Sequence, residues 1–279
     1  MGVRKYKPTS PGRRNSGVDD FADVTAFKPY KALTVHLKKN SGRNNQGKIT
    51  VRHQGGGAKQ RYRLVDFSRR THLDQPATVL TIEYDPNRNS RIALIEYTAT
   101  QEKSYVIVAD GMKVGDVIIA SIKKQEVKPG NRVPLEFIPA GQMVHCVELE
   151  PGKNGLLARS AGNGVTVMSM EGNLVQAKLP SGEIRVFSKD CLATVGQVSN
   201  SEWRTIRWGR AGRQRHRGIR PTVRGKAMNP VDHPHGGGEG NQPIGLKHPK
   251  TPSGKPALGV RTRNKKKASS RFIIKRRKA

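Results

Sequence analysis

The chain has 279 residues, 52 Lys and Arg against 21 Asp and Glu, a formal net charge of +31 and 34% hydrophobic residues. It is long enough for one or two compact domains, but too charged and too polar to condense uniformly on itself. A polyanion is therefore the expected partner, with nucleic acid first and an anionic membrane surface second. No apolar run approaches the roughly 18 residues that a membrane-spanning helix needs.

The opening MGVRKYKPTSPGRRNSG has no apolar stretch behind its basic residues, which argues against a secretory signal. Asp19 and Asp20 follow closely, so a transit peptide is not expected either. The charge is unevenly placed. Residues 1–57 carry a net +9, 58–75 a net +3, 76–200 zero and 201–279 a net +19. A neutral middle lies between two basic arms, and residues 1–59 read as a basic N-terminal extension.

RHQGGGAKQRYR (52–63) sets a glycine triplet among cations. Glycine lets backbone approach a neighbour closely and adopt positive φ, and successive amides can form an anion-binding concavity. The triplet does not fit a phosphate-binding Walker loop. Arg52, His53, Gly55, Gly56, Gly57, Lys59, Arg61 and Arg63 are accordingly expected to pack on RNA backbone.

The middle reads as β. TVLTIEY (78–84) and RIALIEY (91–97) flank DPNRNS, a hairpin signal. SYVIVA and GDVIIASI follow, and after VKPGNRVPL the pattern restarts with QMVHCVEL, GVTVMSM, LVQAKL and EIRVF. Short strands at this regular spacing predict a mainly β fold of two consecutive small barrels, residues 60–127 and 131–200, joined near Pro129 and Gly130. The self-sufficient core is placed at about 60–200. Cys146 and Cys191 sit in alternating apolar contexts without a Cys-x-x-Cys motif, and are expected to be buried reduced thiols.

Residues 201–279 differ. No aromatic residue occurs between Trp208 and Phe272, so this arm cannot bury enough apolar surface to order itself and is expected to be ordered by its partner. In GRAGRQRHRGIRPTVRG (209–225), Arg213, Arg217, Arg220 and Arg224 recur at spacings of four, three and four. A short helix can start here, but Gly218 and Pro221 stop it. The arginine fork matches phosphate oxygens, so Arg210, Arg213, Arg215, His216, Arg217, Arg220 and Arg224 are expected to bind phosphates. Near the end, KKKASSRFIIKRRKA reads as a nucleic-acid anchor that includes Lys265, Lys266 and Lys267.

VDHPHGGGEG (231–240) admits three readings. Asp232, His233, His235 and Glu239 could ligate a metal, but His-x-His beside three glycines lacks the scaffold that orients metal ligands. A catalytic pair would need a nucleophile and a pocket, and the flanking sequence supplies no apolar wall. The reading that remains is a tight RNA-moulded loop in which His233 and His235 stack or donate hydrogen bonds while Gly236, Gly237 and Gly238 allow close approach. No metal, no cofactor and no catalytic residue are expected.

GIRPTVRGKAMNPVDHPHGGGEG (218–240) resembles the signature of the universal large-subunit ribosomal protein two family. GRNNQGKITVRHQGGGAKQRYRLVDF (42–67) and EYDPNRNSRIAL (83–94) are similar to its N-terminal half, and SAGNGVTVMSMEGNLVQAKLPSGEIR and KPALGVRTRNKKK fit the rest. The bacterial form is the nearer. These stretches add Arg43, Lys48, Arg88 and Asn229 to the residues expected to face RNA. Two departures are Ser253, where the family leads one to expect tryptophan, and the two tryptophans of EWRTIRW (202–208).

The resemblance implies an OB-like barrel, an SH3-like barrel and an extended basic C-terminal arm (201–279). It implies a structural constituent of the large subunit, not an enzyme. Such a protein binds large-subunit ribosomal RNA near the peptidyl-transferase region and supports subunit association, tRNA binding and peptide-bond formation. Small-subunit ribosomal RNA at an intersubunit bridge and neighbouring ribosomal proteins are the further partners implied, with no membrane, no homo-oligomer and a cytoplasmic location. The alternatives are a metalloprotein or enzyme built on the histidine loop, and a DNA-compaction protein. The second lacks a helix-turn-helix pattern or basic coiled coil to enter a duplex groove.

Overall fold

The computed structural model describes residues 2–264 and 266–277. The chain divides into two units. The first comprises residues 1–38, 59–213 and 271–279, and the second comprises 39–58 and 214–270.

The first unit is mainly β. Its strands are β1 (Val3–Lys5), β2 (Gly17–Asp19), β3 (Thr34–His36), β4 (Arg61–Arg63), β5 (Pro76–Glu83), β6 (Ile92–Tyr97), β7 (Lys103–Ile107) and β8 (Val117–Ile119). They continue as β9 (Arg132–Pro134), β10 (Met143–His145), β11 (Val147–Glu148), β12 (Gly155–Leu157), β13 (Val165–Glu171), β14 (Leu174–Lys178), β15 (Ile184–Ser188), β16 (Leu192–Val195) and β17 (Ile273–Lys275). There are two short α-helices, α1 (Pro11–Arg14) and α2 (Ala211–His216), and the boundary between the units falls within α2.

Two sheets dominate. The first has the order β7-β6-β5-β8, and the second β17-β15-β14-β13-β10-β16-β9. All their ladders are antiparallel. The expected β-rich pair is present, but neither ladder closes on itself: β7 does not pair with β8, nor β17 with β9. The expected mainly β fold of two consecutive pieces is present, with each piece built on an open sheet.

The pattern of β6 explains the first sheet. IALI is an unbroken apolar run rather than an alternating one, and such a strand needs cover on both faces. Ala93 and Ile95 pack with Ala77, Val79, Val106 and Ile118 on one side. On the other, Ile92, Leu94 and Tyr105 pack against Leu33, Val65 and Leu80. The second cover comes from residues N-terminal to the sheet. It is pinned by the Tyr30 amide, which donates to the Tyr105 hydroxyl (2.8 Å), which in turn donates to Glu83 (2.8 Å). Arg91, 2% exposed, is held by Asp19 and Asp23. Within the expected 1–59 extension, residues 1–38 therefore belong to the sheet-bearing unit.

The second sheet alternates, with Val165 and Val167 on β13, Val175 and Ala177 on β14, and Phe187 on β15 all turned to one core. Cys146 and Cys191 are free and buried. The junction between the sheets is locked. Gly130 has φ +93°, and a Cβ there would lie 2.8 Å from Ile118 and 2.9 Å from Met112. Arg69 donates to its carbonyl at 2.7 Å.

Beside the junction lies Arg132, 0% exposed. It donates to the Ser68 and Cys146 carbonyls, to Thr194 and to Glu148. Glu148, also 0% exposed, accepts from Arg70 and from the amides of Leu192 and Gly152 as well. A buried carboxylate with this many donors is fully satisfied, and leaving either partner alone would strand a desolvated charge.

C-terminal residues Ile273–Lys275 add a strand to the edge of β15. Sequence reading had assigned FII only to a nucleic-acid anchor. Its two isoleucines also serve as a sheet edge.

Two outcomes follow for stability. Replacing Glu148 by Gln leaves Arg132 without its charge partner and is expected to cost about 3–5 kcal/mol of unfolding free energy, measured by urea denaturation of the full chain. His145 is 1% exposed and donates through Nδ1 to the Gly196 carbonyl at 2.8 Å. Burial, with help from Arg132 and Arg69, pushes its pKa down from 6.5 to about 4. Its contribution is therefore complete above pH 6.5 and is lost as pH falls from 6.5 towards 4, up to about 3 kcal/mol. His145→Gln should flatten the stability profile in that window relative to the parent chain.

Candidate nucleic-acid interface

The second unit holds 17 Lys and Arg but only two carboxylates, Asp232 and Glu239, and no Phe, Trp or Tyr. Among its described residues, His233 is the one side chain beyond glycine that is buried. There is no hydrophobic core to set its shape. Backbone packing at glycines and hydrogen bonds at the histidines do so instead.

The first glycine triplet meets the turn at 216–220. Gly55 donates to the Gly218 carbonyl (2.6 Å), Ala58 to His216 (2.8 Å), and Arg220 donates back to the His53 carbonyl (3.0 Å). A Cβ on Gly57 would lie 2.7 Å from the His216 oxygen and 2.8 Å from the Gly218 nitrogen. Gly56 faces the Ser41 hydroxyl. These glycines were expected to make room for RNA, but the atoms they make room for belong to the chain itself.

This pairing presents the cations outward. Arg43, Lys48, Arg52 and His53 are exposed on one strand of the pairing, and Arg215, His216, Arg217 and Arg220 on the other. Arg224, Asn229, Lys266 and Lys267 are exposed elsewhere in the unit. Lys265 lies outside the described residues.

The histidine loop is built the same way. Asp232 and His233 donate to the Asn229 carbonyl (3.0 and 3.3 Å), Gly236 to His233 (2.8 Å) and Gly237 to Met228 (3.2 Å). A Cβ on Gly236 would sit 2.2 Å from the Asn229 oxygen. Gly237 has φ +90° against Pro230, and Gly238 has φ +77° against Gln242. The loop thus has internal order of its own, where the sequence led us to expect order imposed by RNA.

The two rings contact each other, with centroids 4.6 Å apart and a tilt of 57°. Each ring accepts a backbone hydrogen bond. The His235 amide donates to Nδ1 of His233 at 3.0 Å, and the Lys250 amide donates to Nε2 of His235 at 2.7 Å. As acceptors at these atoms, His233 is the neutral Nε2–H tautomer and His235 the Nδ1–H tautomer, so each ring still carries one N–H with which to donate as expected. Burial first, then His235 and Arg52, lower the pKa of His233 and favour that neutral form. Gly225 lies against the His233 ring, where a Cβ would be 2.5 Å from it. Among the described residues, no group of three or more His, Cys, Asp or Glu is placed to hold a metal ion.

The remaining expected residues lie in the first unit. Lys59, Arg61 and Arg210 are exposed. Arg63 is 8% exposed and donates to the Arg61 carbonyl. Arg88 is paired with Asp85 and stacks on Tyr62 and Phe67. Arg63, on β4, turns back to its own segment, and Arg88, in the turn between β5 and β6, is engaged by Asp85 three residues before it. Arg213 turns towards Tyr6, an aromatic the sequence reading passed over although RKYK sets it among cations.

Two measurements check the loop. Long-range proton–nitrogen correlations should show unprotonated Nδ1 on His233 and unprotonated Nε2 on His235. Because the folded pKa of His233 is lowered, its lock is complete above pH 6.5 and is lost as pH falls below that value. Gly225→Ala overpacks the His233 ring, a change of roughly 1–3 kcal/mol. In a unit without a core it should appear as faster hydrogen exchange at Gly236 and Gly237, with the unfolding of the sheets unchanged.

The comparisons agree with this architecture. The family model described as Ribosomal Proteins L2, RNA binding N-terminal domain, matches residues 30–120. That described as Ribosomal Proteins L2, C-terminal domain, matches residues 128–254. The first range contains the β7-β6-β5-β8 sheet, and the second contains most of the larger sheet together with the histidine loop. A coreless cationic unit held open by glycines, carried on a chain that both family models match in order, identifies a member of the ribosomal protein L2 family, large-subunit proteins that bind RNA and are not enzymes.

Proposed function

We propose that this protein works as a fixed cationic scaffold near the peptidyl-transferase region of the large subunit. There it supports subunit association, tRNA binding and peptide-bond formation without performing the chemistry. In this reading, residues 60–127 and 131–200 dock as folded RNA-binding pieces, and 1–59 and 201–279 reach into crowded RNA. Small-subunit ribosomal RNA at a bridge and neighbouring ribosomal proteins are the further contacts, and the protein acts in the cytoplasm as one copy per particle. Among the described residues, no helix is long and apolar enough to cross a membrane.

The observation that carries this reading is the pair of accepting histidines in a unit with a net charge of +15. A general base also needs a lone pair on a ring nitrogen, but here both lone pairs are already engaged by backbone amides. Among the described residues, no carboxylate forms an ion pair with either ring, whereas an acid–base histidine needs a partner to orient it. The surrounding cations suit phosphate contacts, which position a protein on RNA. Arg215, Arg217, Arg220 and Arg224 form one dense group of them.

Two experiments test it. Replacing Arg215, Arg217, Arg220 and Arg224 together by Gln should reduce the slope of log K against log salt for large-subunit RNA by roughly 3–4, at about 0.7–0.9 per phosphate. Fully assembled particles carrying His235→Gln should keep the chemical step of single-turnover peptide-bond formation, since the Gln carbonyl can still accept from Lys250. A loss of about 100-fold or more, the scale of general acid–base catalysis, would overturn the scaffold reading. Gly236→Val, by contrast, should impair assembly or subunit joining.

A further inference from the structure

A second cationic feature lies in the first unit, where residues that precede the N-terminal family match meet residues 207–213. β1 leads into Tyr6, whose ring is half-buried. The guanidinium carbons of Arg4, Arg13 and Arg213 lie 5.8, 5.3 and 5.5 Å from its centroid. Arg13 comes from α1, and Arg213 from α2. Arg213 donates to the Tyr6 hydroxyl (3.3 Å), the Ser16 hydroxyl (3.2 Å) and the Trp208 carbonyl (3.3 Å). Hydrogen bonds from Arg213 and then Arg4 lower the pKa of the Tyr6 phenol.

The backbone holds these segments together. Tyr6 donates to Ser16 (3.1 Å), and Gly17 to the Arg207 carbonyl (2.9 Å). Gly209, at φ +69°, is packed so that a Cβ would fall 2.3 Å from the Gly12 oxygen and 2.6 Å from Ser16 Cβ. A Cβ on Gly12 would in turn lie 3.1 Å from Arg210. Two stretches nearly two hundred residues apart are thus interlocked at glycines, and the convergence of the arginines is part of the fold.

Three guanidiniums around one ring repel one another. Elsewhere in this unit, Arg70 and Arg132 converge on the carboxylate of Glu148, and Arg91 is held by Asp19 and Asp23. Here the contacts are a hydroxyl, a carbonyl and a π face. Among the described residues, no carboxylate forms an ion pair with Arg4, Arg13 or Arg213. A planar guanidinium held by neutral partners keeps its full charge for a phosphate oxygen.

We infer that Arg4, Arg13 and Arg213, gathered by Tyr6, form a clamp for the phosphodiester backbone of an RNA strand, separate from the glycine-built unit. Tyr6 is the positioning residue: its ring and hydroxyl hold the three cations together until phosphate relieves their repulsion. This rests on the RNA-binding function of the family and names a site within it.

The test uses the full chain and labelled large-subunit RNA, with affinity read by filter retention between 50 and 200 mM salt. Changing Arg4, Arg13 and Arg213 to Gln should lower the salt slope by roughly 2–3. Tyr6→Leu should lower it by about 1 or more with no change in net charge, because dispersed arginines release fewer counterions. Tyr6→Phe, which keeps the ring, should fall between Tyr6→Leu and the parent chain. An unchanged slope in the triple variant and in Tyr6→Leu overturns the clamp. If hydrogen exchange at the Gly17 amide shows that a variant has released the N-terminal segment, ultraviolet crosslinking of the parent complex decides. A nucleotide adduct within residues 2–16 supports the clamp, and its absence overturns it. Displacement of the RNA from this segment by polyglutamate but not by polyuridylate would assign the arginines to an acidic protein and also overturn it. Failure of the parent chain to bind the RNA at all would instead count against the RNA-binding reading itself.

Discussion

The scarcity of carboxylates governs this molecule. With 21 acids for 52 Lys and Arg, most cations cannot be paired within the chain, and the positions of the acids decide which part folds around a core. Glu148 holds Arg132 and Arg70, Asp19 and Asp23 hold Arg91, and Asp85 holds Arg88. Every one of these pairs lies in the sheet-bearing unit. There the paired arginines fix neighbouring segments, and burial of Arg132 is tolerated because Glu148 meets its charge. The second unit has two acids for 17 cations, and so cannot follow that route.

What replaces a core in the second unit is close backbone contact. Where no side chain is large and apolar, the distance between strands is set by the absence of Cβ atoms. Gly57 and Gly236 each leave space that a methyl group would fill with a steric clash. The histidines complete the arrangement in an unusual role, accepting from amides that would otherwise be left without partners. A neutral acceptor is well suited to such surroundings. A protonated ring would add to a field that is already strongly positive and would give up its hydrogen bond at the same time.

Much of the architecture was legible in the sequence. Apolar patterning and turn residues located the four strands of the smaller sheet and β10, β13, β14 and β15 of the larger one, but not β9, β16 or β17, and the zero net charge of residues 76–200 marked most of the part with a core. What escaped was the contribution of distant residues. Leu33 and Tyr30 cover β6 and Tyr105, yet they sit in a segment whose composition reads as an arm. Ile273 pairs with Arg185 across nearly ninety residues, and a three-residue strand has no periodicity to detect. Strand spacing reports the number of strands and says nothing of whether the first and last meet, so the openness of the two sheets is visible only in the structure.

The candidate site was legible in kind and misread in mechanism. Two glycine triplets beside histidines signalled close approach, and the structure shows close approach, but between segments of the protein. The reason lies in what a motif can encode. A glycine announces that something comes near, while its identity depends on which chain segments fold together. Gly55 and Gly218 are 163 positions apart and meet only through their hydrogen-bonded pairing. The same ambiguity hid the cluster at Tyr6, since RKYK reads as one more basic stretch until Arg213 arrives from the far end of the chain. In both cases the glycines and the aromatic ring hold cations in fixed relative positions. An RNA-binding surface of such a kind gains its specificity from geometry, because phosphate contacts alone carry no sequence information and can only fix register and orientation.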